Sequence, residues 1–116
     1  MMGDLFQVVD PRGITITCNE GYWDAHIVSS KPIMQGNEQA VQSTLAAPDV
    51  IYGSGEYPER DVYFKQNSGA TYSSKLFTKV IVEINGNSGE VVTAFPREDI
   101  SGNIDSEELK YVKPRL

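Results

Sequence analysis

The hydrophobic period of this chain changes near Pro48, and that change restricts the fold more than any other feature. From about Glu20 to Pro48, apolar residues recur every three or four positions. After it they alternate, most clearly in Lys75–Ile84, where Leu76, Thr78, Val80, Val82 and Ile84 share one face. Helices followed by strands predict an α+β domain. The expected architecture is an N-terminal hairpin and two helices packed on a four-stranded, mostly antiparallel sheet.

In chain order, Phe6–Val9 and Ile14–Thr17 are short and rich in β-branched residues, and Asp10-Pro11-Arg12-Gly13 between them signals a turn. A helix is expected from about Glu20 to Ser29 or Ser30. Thr17 with Glu20 fits a capping box, and Asn19 is a second cap option. Trp23 and Ile27, four apart, would anchor this helix, with His26 at the edge of the anchor. Lys31-Pro32 stops it. A second helix opens at Gly36-Asn37, carries the stripe Ala40, Val41, Thr44 and Leu45, and ends at Pro48. Strands are expected at Asp49–Tyr52, Arg60–Gln66, Lys75–Ile84 and Glu90–Phe95, the last two joined by the Asn85-Gly86 turn. In Arg60–Gln66, Val62 and Phe64 take one face and Asp61, Tyr63 and Lys65 the other. Thr93 is expected between Val91 and Phe95 on one face. The polar tail Arg97–Leu116 reads as loosely attached, with a helical turn over Asp105–Tyr111 as the other option. All 116 residues read as a single domain with one core.

Composition removes several classes of function. Hydrophobic residues make up 40% and charged residues 22%, which suits a globular chain rather than a disordered one. There is no apolar run of about 18 residues to span a membrane. The start, MMGDLFQVVDP, lacks the basic and apolar regions of a signal peptide. Cys18 is the lone cysteine, so no intrachain disulfide forms, and one Cys with one His cannot build a usual structural zinc site. A cytoplasmic protein without metal or other cofactor is the expectation. The net charge of −6 argues against a general nucleic-acid coat. Charge is uneven, however. Residues 1–50 carry two basic and six acidic side chains, whereas 60–82 carry Arg60, Lys65, Lys75 and Lys79 against Asp61 alone.

Phosphate loops of the GxxxxGK[ST] kind, GxGxxG fingerprints and nucleophile elbows are all missing. What remains is one imidazole, some cations, and tyrosines and hydroxyls on strands. Those parts suit metal-independent RNA cleavage. His can accept the 2′-hydroxyl proton near neutral pH, Arg or Lys can offset charge on the pentacoordinate phosphate, and a Thr or Tyr hydroxyl can bond a non-bridging oxygen.

Trp23-Asp24-Ala25-His26-Ile27, Lys31-Pro32-Ile33-Met34, Val41, Thr44, Pro48-Asp49-Val50-Ile51, Tyr63-Phe64 and Gly89-Glu90-Val91-Val92-Thr93-Ala94-Phe95 follow in an order that carries a family likeness. From about residue 13 to 96 the chain resembles the phage-associated branch of the barnase–EndoU–colicin–RelE-like nuclease superfamily, the PBECR group. The resemblance implies a ribonuclease fold used by toxins that cut RNA, often tRNA, without metal. By position it gives His26 the role of general base or acid and Thr93 a contact to the scissile phosphate. Arg60 is the first candidate for the transition-state cation, with Lys79 as the weaker alternative, and Tyr63 a phosphate-positioning or base-stacking group. Lys31, Lys65 and Lys79 are candidates for substrate binding. The sequence departs from the pattern at Lys31, where a second His is expected. An unshifted Lys stays protonated near pH 7 and cannot act as a base, though it can bind phosphate. That departure and the acidic charge leave a second reading open: an inactive, phage-derived acidic module that captures a basic protein partner. The ribonuclease reading carries RNA, and an antitoxin or immunity protein, as expected partners.

Overall fold

The computed structural model describes residues 3–114; Met1, Met2, Arg115 and Leu116, the ends of the stretches read above, lie outside the described residues. Its strands are β1 (Asp4–Val9), β2 (Thr15–Asn19), β3 (Val50–Ser54), β4 (Arg60–Gln66), β5 (Phe77–Asn85), β6 (Ser88–Arg97) and β7 (Ile104–Val112). They form one seven-stranded sheet in the order β1-β2-β6-β5-β4-β3-β7. The helical elements are short. Helix α1 (Glu20–Tyr22) continues directly into a π-helical turn (Trp23–Val28), a 3₁₀ turn covers Pro32–Met34, and α2 spans Glu38–Ala46.

The expectation of two helices on a four-stranded sheet is therefore corrected to a seven-stranded mixed sheet with only short helices. Two physical causes account for the difference. The hairpin β1–β2 has an open backbone edge, and β2 closes it by pairing in parallel with β6 at Thr15–Thr17 against Ser88–Glu90. The tail, read as loose or helical, is strand β7, paired antiparallel with β3. Asp105–Tyr111 favours helix locally, but an isolated helix that short is unstable in water, whereas the edge of β3 offers unpaired backbone partners. Tyr111, opposite Ile51, packs against the core from β7.

The core lies between the inner sheet face, hairpin included, and a layer made of the helical turns and α2. Ile16, Trp23, Ile27, Met34, Val41, Leu45, Ile51, Tyr63, Val80 and Val82 are its buried members. The expected alternation holds in β5, where Thr78, Val80 and Val82 are buried on the inner side. Strand β4 is covered on both faces, since Asp61, Val62, Tyr63 and Phe64 are all buried. Its outer face is shielded by residues 98–103, which cross the sheet from the end of β6 to the start of β7. The buried Lys79 clasps this crossover, its ammonium donating to the carbonyls of Ser101 (3.0 Å) and Gly102 (2.5 Å). In β6 a bulge at the register shift between Ile81 and Val82 separates Val91, which faces Val82, from Thr93, which faces Ile81. Thr93 therefore shares the outer face with Phe95 but not with Val91, contrary to the sequence reading.

Candidate functional site at the outer margin of β6

The side chain of Asn19 caps α1, accepting the N–H groups of Gly21 (2.9 Å) and Tyr22 (3.2 Å); Thr17 belongs to β2 instead. The next turn is wide, with the Ser29 N–H bonded to the Asp24 carbonyl five residues back. In so wide a turn, residues four apart lie nearly one above the other. Trp23 and Ile27 are thus buried together, and His26 stacks on Tyr22, ring centroids 4.6 Å apart and planes at 27°. His26 itself is exposed. The Tyr22 hydroxyl donates to the Val92 carbonyl at 2.7 Å. One bond thus pins the platform under His26 to β6, one residue before Thr93.

Strand β6 pairs with β2 only through Glu90, so its outer edge is open from there to Arg97. Pro96 fits that position, because a residue without an N–H is tolerated on an edge. On the outer face Thr17, Glu90, Glu83 and Arg60 are successive cross-strand partners on β2, β6, β5 and β4. They border a cleft of about 400 Å³ that Tyr22, Val92 and Asp4 also line. The Arg60 guanidinium lies over the Tyr57 ring at 4.1 Å and meets the Glu83 carboxylate at 3.5 Å. Farther along β6, the Lys31 ammonium sits 5.4 Å from the centre of the Phe95 ring.

Thr93 lies on β6, His26 is held to that strand through Tyr22, and Lys31 meets it at Phe95, whereas Arg60 stands two strands inward on β4 and lines the cleft that reaches β6 at Glu90 and Val92. The other candidates are not part of this arrangement. Tyr63 is fully buried on the inner face, where its hydroxyl donates to Asp10 at 2.6 Å and accepts from Arg12 at 2.9 Å. Burial first, and then the bond to the Asp10 carboxylate, push its phenol far above the ordinary value. Arg12 also pairs with Asp61 at 3.0 Å, and Lys110 of β7 pairs with Asp61 at 2.7 Å. Tyr63 thus belongs to a network that fastens the hairpin tip and β7 onto β4, and it cannot reach a substrate. Lys65 donates to the Ala47 carbonyl at 2.8 Å and ties β4 to the end of α2. Lys79 is buried beneath the crossover. Its burial first, with the nearby Arg97, lowers its pKa to about 8.

Sequence reasoning missed Tyr22, Glu83 and Glu90. Tyr22 was detectable by its place four residues before His26. The glutamates became neighbours only through the register of β5 and β6. Among the described residues, no group of three or more His, Cys, Asp or Glu side chains is placed to hold a metal ion. No described helix is long and apolar enough to cross a membrane. Comparisons with protein families, with curated proteins and with solved structures found no match for this chain.

Proposed function

We propose that the chain is a metal-independent endoribonuclease domain of the toxin or effector kind, working along the outer margin of β6. The observation that carries this reading is the exposed His26 imidazole, held on a tyrosine that is itself bonded to β6 beside Thr93. His26 accepts the proton of an RNA 2′-hydroxyl. The 2′-oxygen attacks phosphorus, the bond to the 5′-oxygen breaks, and water protonates the leaving oxygen. The product is a 2′,3′-cyclic phosphate. Thr93 bonds a non-bridging oxygen, and Arg60 offsets the charge that grows on the phosphate. The resemblance of Trp23–Ile27 and Thr93–Phe95 to phage-associated nucleases supports this reading, including tRNA as a substrate and an antitoxin as a partner.

The decisive assay is incubation of wild type and His26→Ala with total RNA and tRNA in EDTA, with the product ends analysed. Discrete cleavage by wild type alone, ending in cyclic phosphate, is expected. Arg60→Ala should reduce the rate about 10²-fold or more, the scale of removing one charge-stabilising donor. A folded wild type that leaves RNA intact would refute the reading.

One observation favours the second reading, an inactive module that captures a basic protein. Asp4, Glu83 and Glu90 outnumber Arg60 in the cleft. A salt-sensitive protein complex without RNA turnover is the outcome that would select it.

A further inference from the structure

At the far end of β6 two lysines flank one aromatic ring, and Arg97 stands beside one of them. Lys31 stands 5.4 Å from the Phe95 ring centre and Lys79 5.3 Å from it. Arg97 comes close to Lys79. At Gly102, between them, an added Cβ would lie 2.9 Å from the Lys79 ammonium and 3.1 Å from the Arg97 guanidinium carbon. Lys79 is buried, and its recorded bonds go to two carbonyls rather than to a carboxylate. Burying one cation beside another is unfavourable unless negative charge compensates. The compensation present is weak. Asp99 reaches Arg97 at only 3.8 Å and its side chain is 73% exposed, and its carboxylate is already bonded by the Ser101 hydroxyl. Glu98 is exposed as well. Next to this cluster lies an open recess of about 490 Å³, lined by Lys31, Phe95, Pro96, Arg97, Glu98 and Asp99. Its walls bring an exposed ammonium, a guanidinium and the face of a phenyl ring to one place.

We propose that this recess binds a backbone phosphate of the RNA strand flanking the scissile bond, with Lys31 and Arg97 as its ligands and Phe95 as the stacking surface for the adjoining base. The assignment rests on the ribonuclease reading of the same margin. Lys79 does not touch the phosphate; its buried charge adds to the positive potential under the ring. Residues Glu90 to Arg97 span about 23 Å of strand at roughly 3.3 Å per residue, enough for a few nucleotides lying along the edge. His26 would then stand between the Arg60 cleft and this recess.

The test is binding of a short single-stranded 2′-deoxy oligonucleotide, which lacks the attacking hydroxyl and cannot be cut, followed across salt concentrations. Lys31→Ala should weaken binding about five-fold and reduce the slope of log affinity against log salt by about 0.7, the value for one lost single-strand phosphate contact. Arg97→Lys should weaken it too: Nε and Nη2 of Arg97 donate to the Ser101 hydroxyl at 3.2 and 2.9 Å and hold Nη1 in place, and a lysine keeps the positive charge but not that fixed planar donor. Lys75→Ala, an exposed lysine away from the recess, is the control and should leave binding unchanged. If the oligonucleotide does not bind, or binds equally to wild type, Lys31→Ala and Arg97→Lys, the proposal is overturned. RNA cleavage by wild type with those unchanged affinities would overturn the recess while sparing the ribonuclease. Binding that depends on Lys31 in a protein that cuts no RNA would sustain the recess and remove the ribonuclease.

Discussion

Tyr63 shows how one residue type supports two opposite roles. A tyrosine on a strand beside lysines suggests a phosphate ligand, yet its ring fills the core and its hydroxyl joins Asp10 to Arg12. Tyr63→Phe keeps the ring but leaves Asp10 and Arg12 each one partner short. It should cost about 1–3 kcal/mol in denaturant unfolding, the range for an unsatisfied buried polar group, and leave RNA cleavage by the folded protein unchanged. A large loss of cleavage at full stability would contradict that assignment. Lys79 makes a prediction about pH. Its pKa falls from 10.5 unfolded to about 8 folded, mainly through burial. Between those values the unfolded chain binds more protons, so this residue makes stability rise with pH, by at most about 1.4 kcal/mol per pH unit. Wild type should therefore gain on Lys79→Met as pH climbs from 8 toward 10.5. The difference between the two unfolding curves isolates the effect from Cys18, whose thiol burial pushes up to about 11 and whose contribution falls with pH. Parallel curves across that window would contradict it.

At the scale of elements, the sequence announced the strands better than their partners. The Asn85-Gly86 hairpin, the alternation of β5 and the stripe of α2 were all legible, because turn chemistry and period are local. The parallel contact of β2 with β6 was not, since only three residue pairs make it and each strand looks complete without the other. The π-turn escaped because its hydrogen-bond register is invisible to a pattern counted at 3.6 residues per turn. Trp23 and Ile27 are buried as their spacing implied, and His26 stacks on Tyr22, four residues before it. Strand β7 was misread because its residues are mostly exposed and polar, so pairing rather than burial makes it a strand. A chain ending before Ile104 should therefore lose more than a tail. It loses the Lys110–Asp61 bond and uncovers the β3 edge. We expect a lower denaturation midpoint and concentration-dependent association by light scattering. A monomer with an unchanged midpoint would show that β7 adds nothing to the fold.

For the whole molecule, the two sheet faces divide the work. The inner face holds the core, and the crossover closes the part of the outer face over β4 and β5. Beyond Glu90 no described strand pairs with the β6 margin, and Tyr22, on which His26 stacks, is bonded to it at Val92. If the proposed ribonuclease function holds, that arrangement bears on how a chain of net charge −6 would hold a polyanion. Binding cannot rest on overall attraction, so it must come from a few cations in fixed places. Arg60, Lys31 and Arg97 are those candidates, and Glu83 and Asp99 already draw on two of them. Three phosphate contacts at most give a slope of log affinity against log salt of about −2 for a single strand, far shallower than that of a basic nucleic-acid coat. Association should correspondingly be weak at physiological salt. Glu83→Gln should raise affinity for the uncleavable oligonucleotide by freeing Arg60, and steepen the slope by up to about 0.7. If Glu83→Gln instead lowers RNA affinity, the pairing with Glu83 is what orients Arg60 toward phosphate. If it leaves RNA affinity unchanged but abolishes capture of a basic protein, the acidic side of the cleft, rather than Arg60, is the working surface.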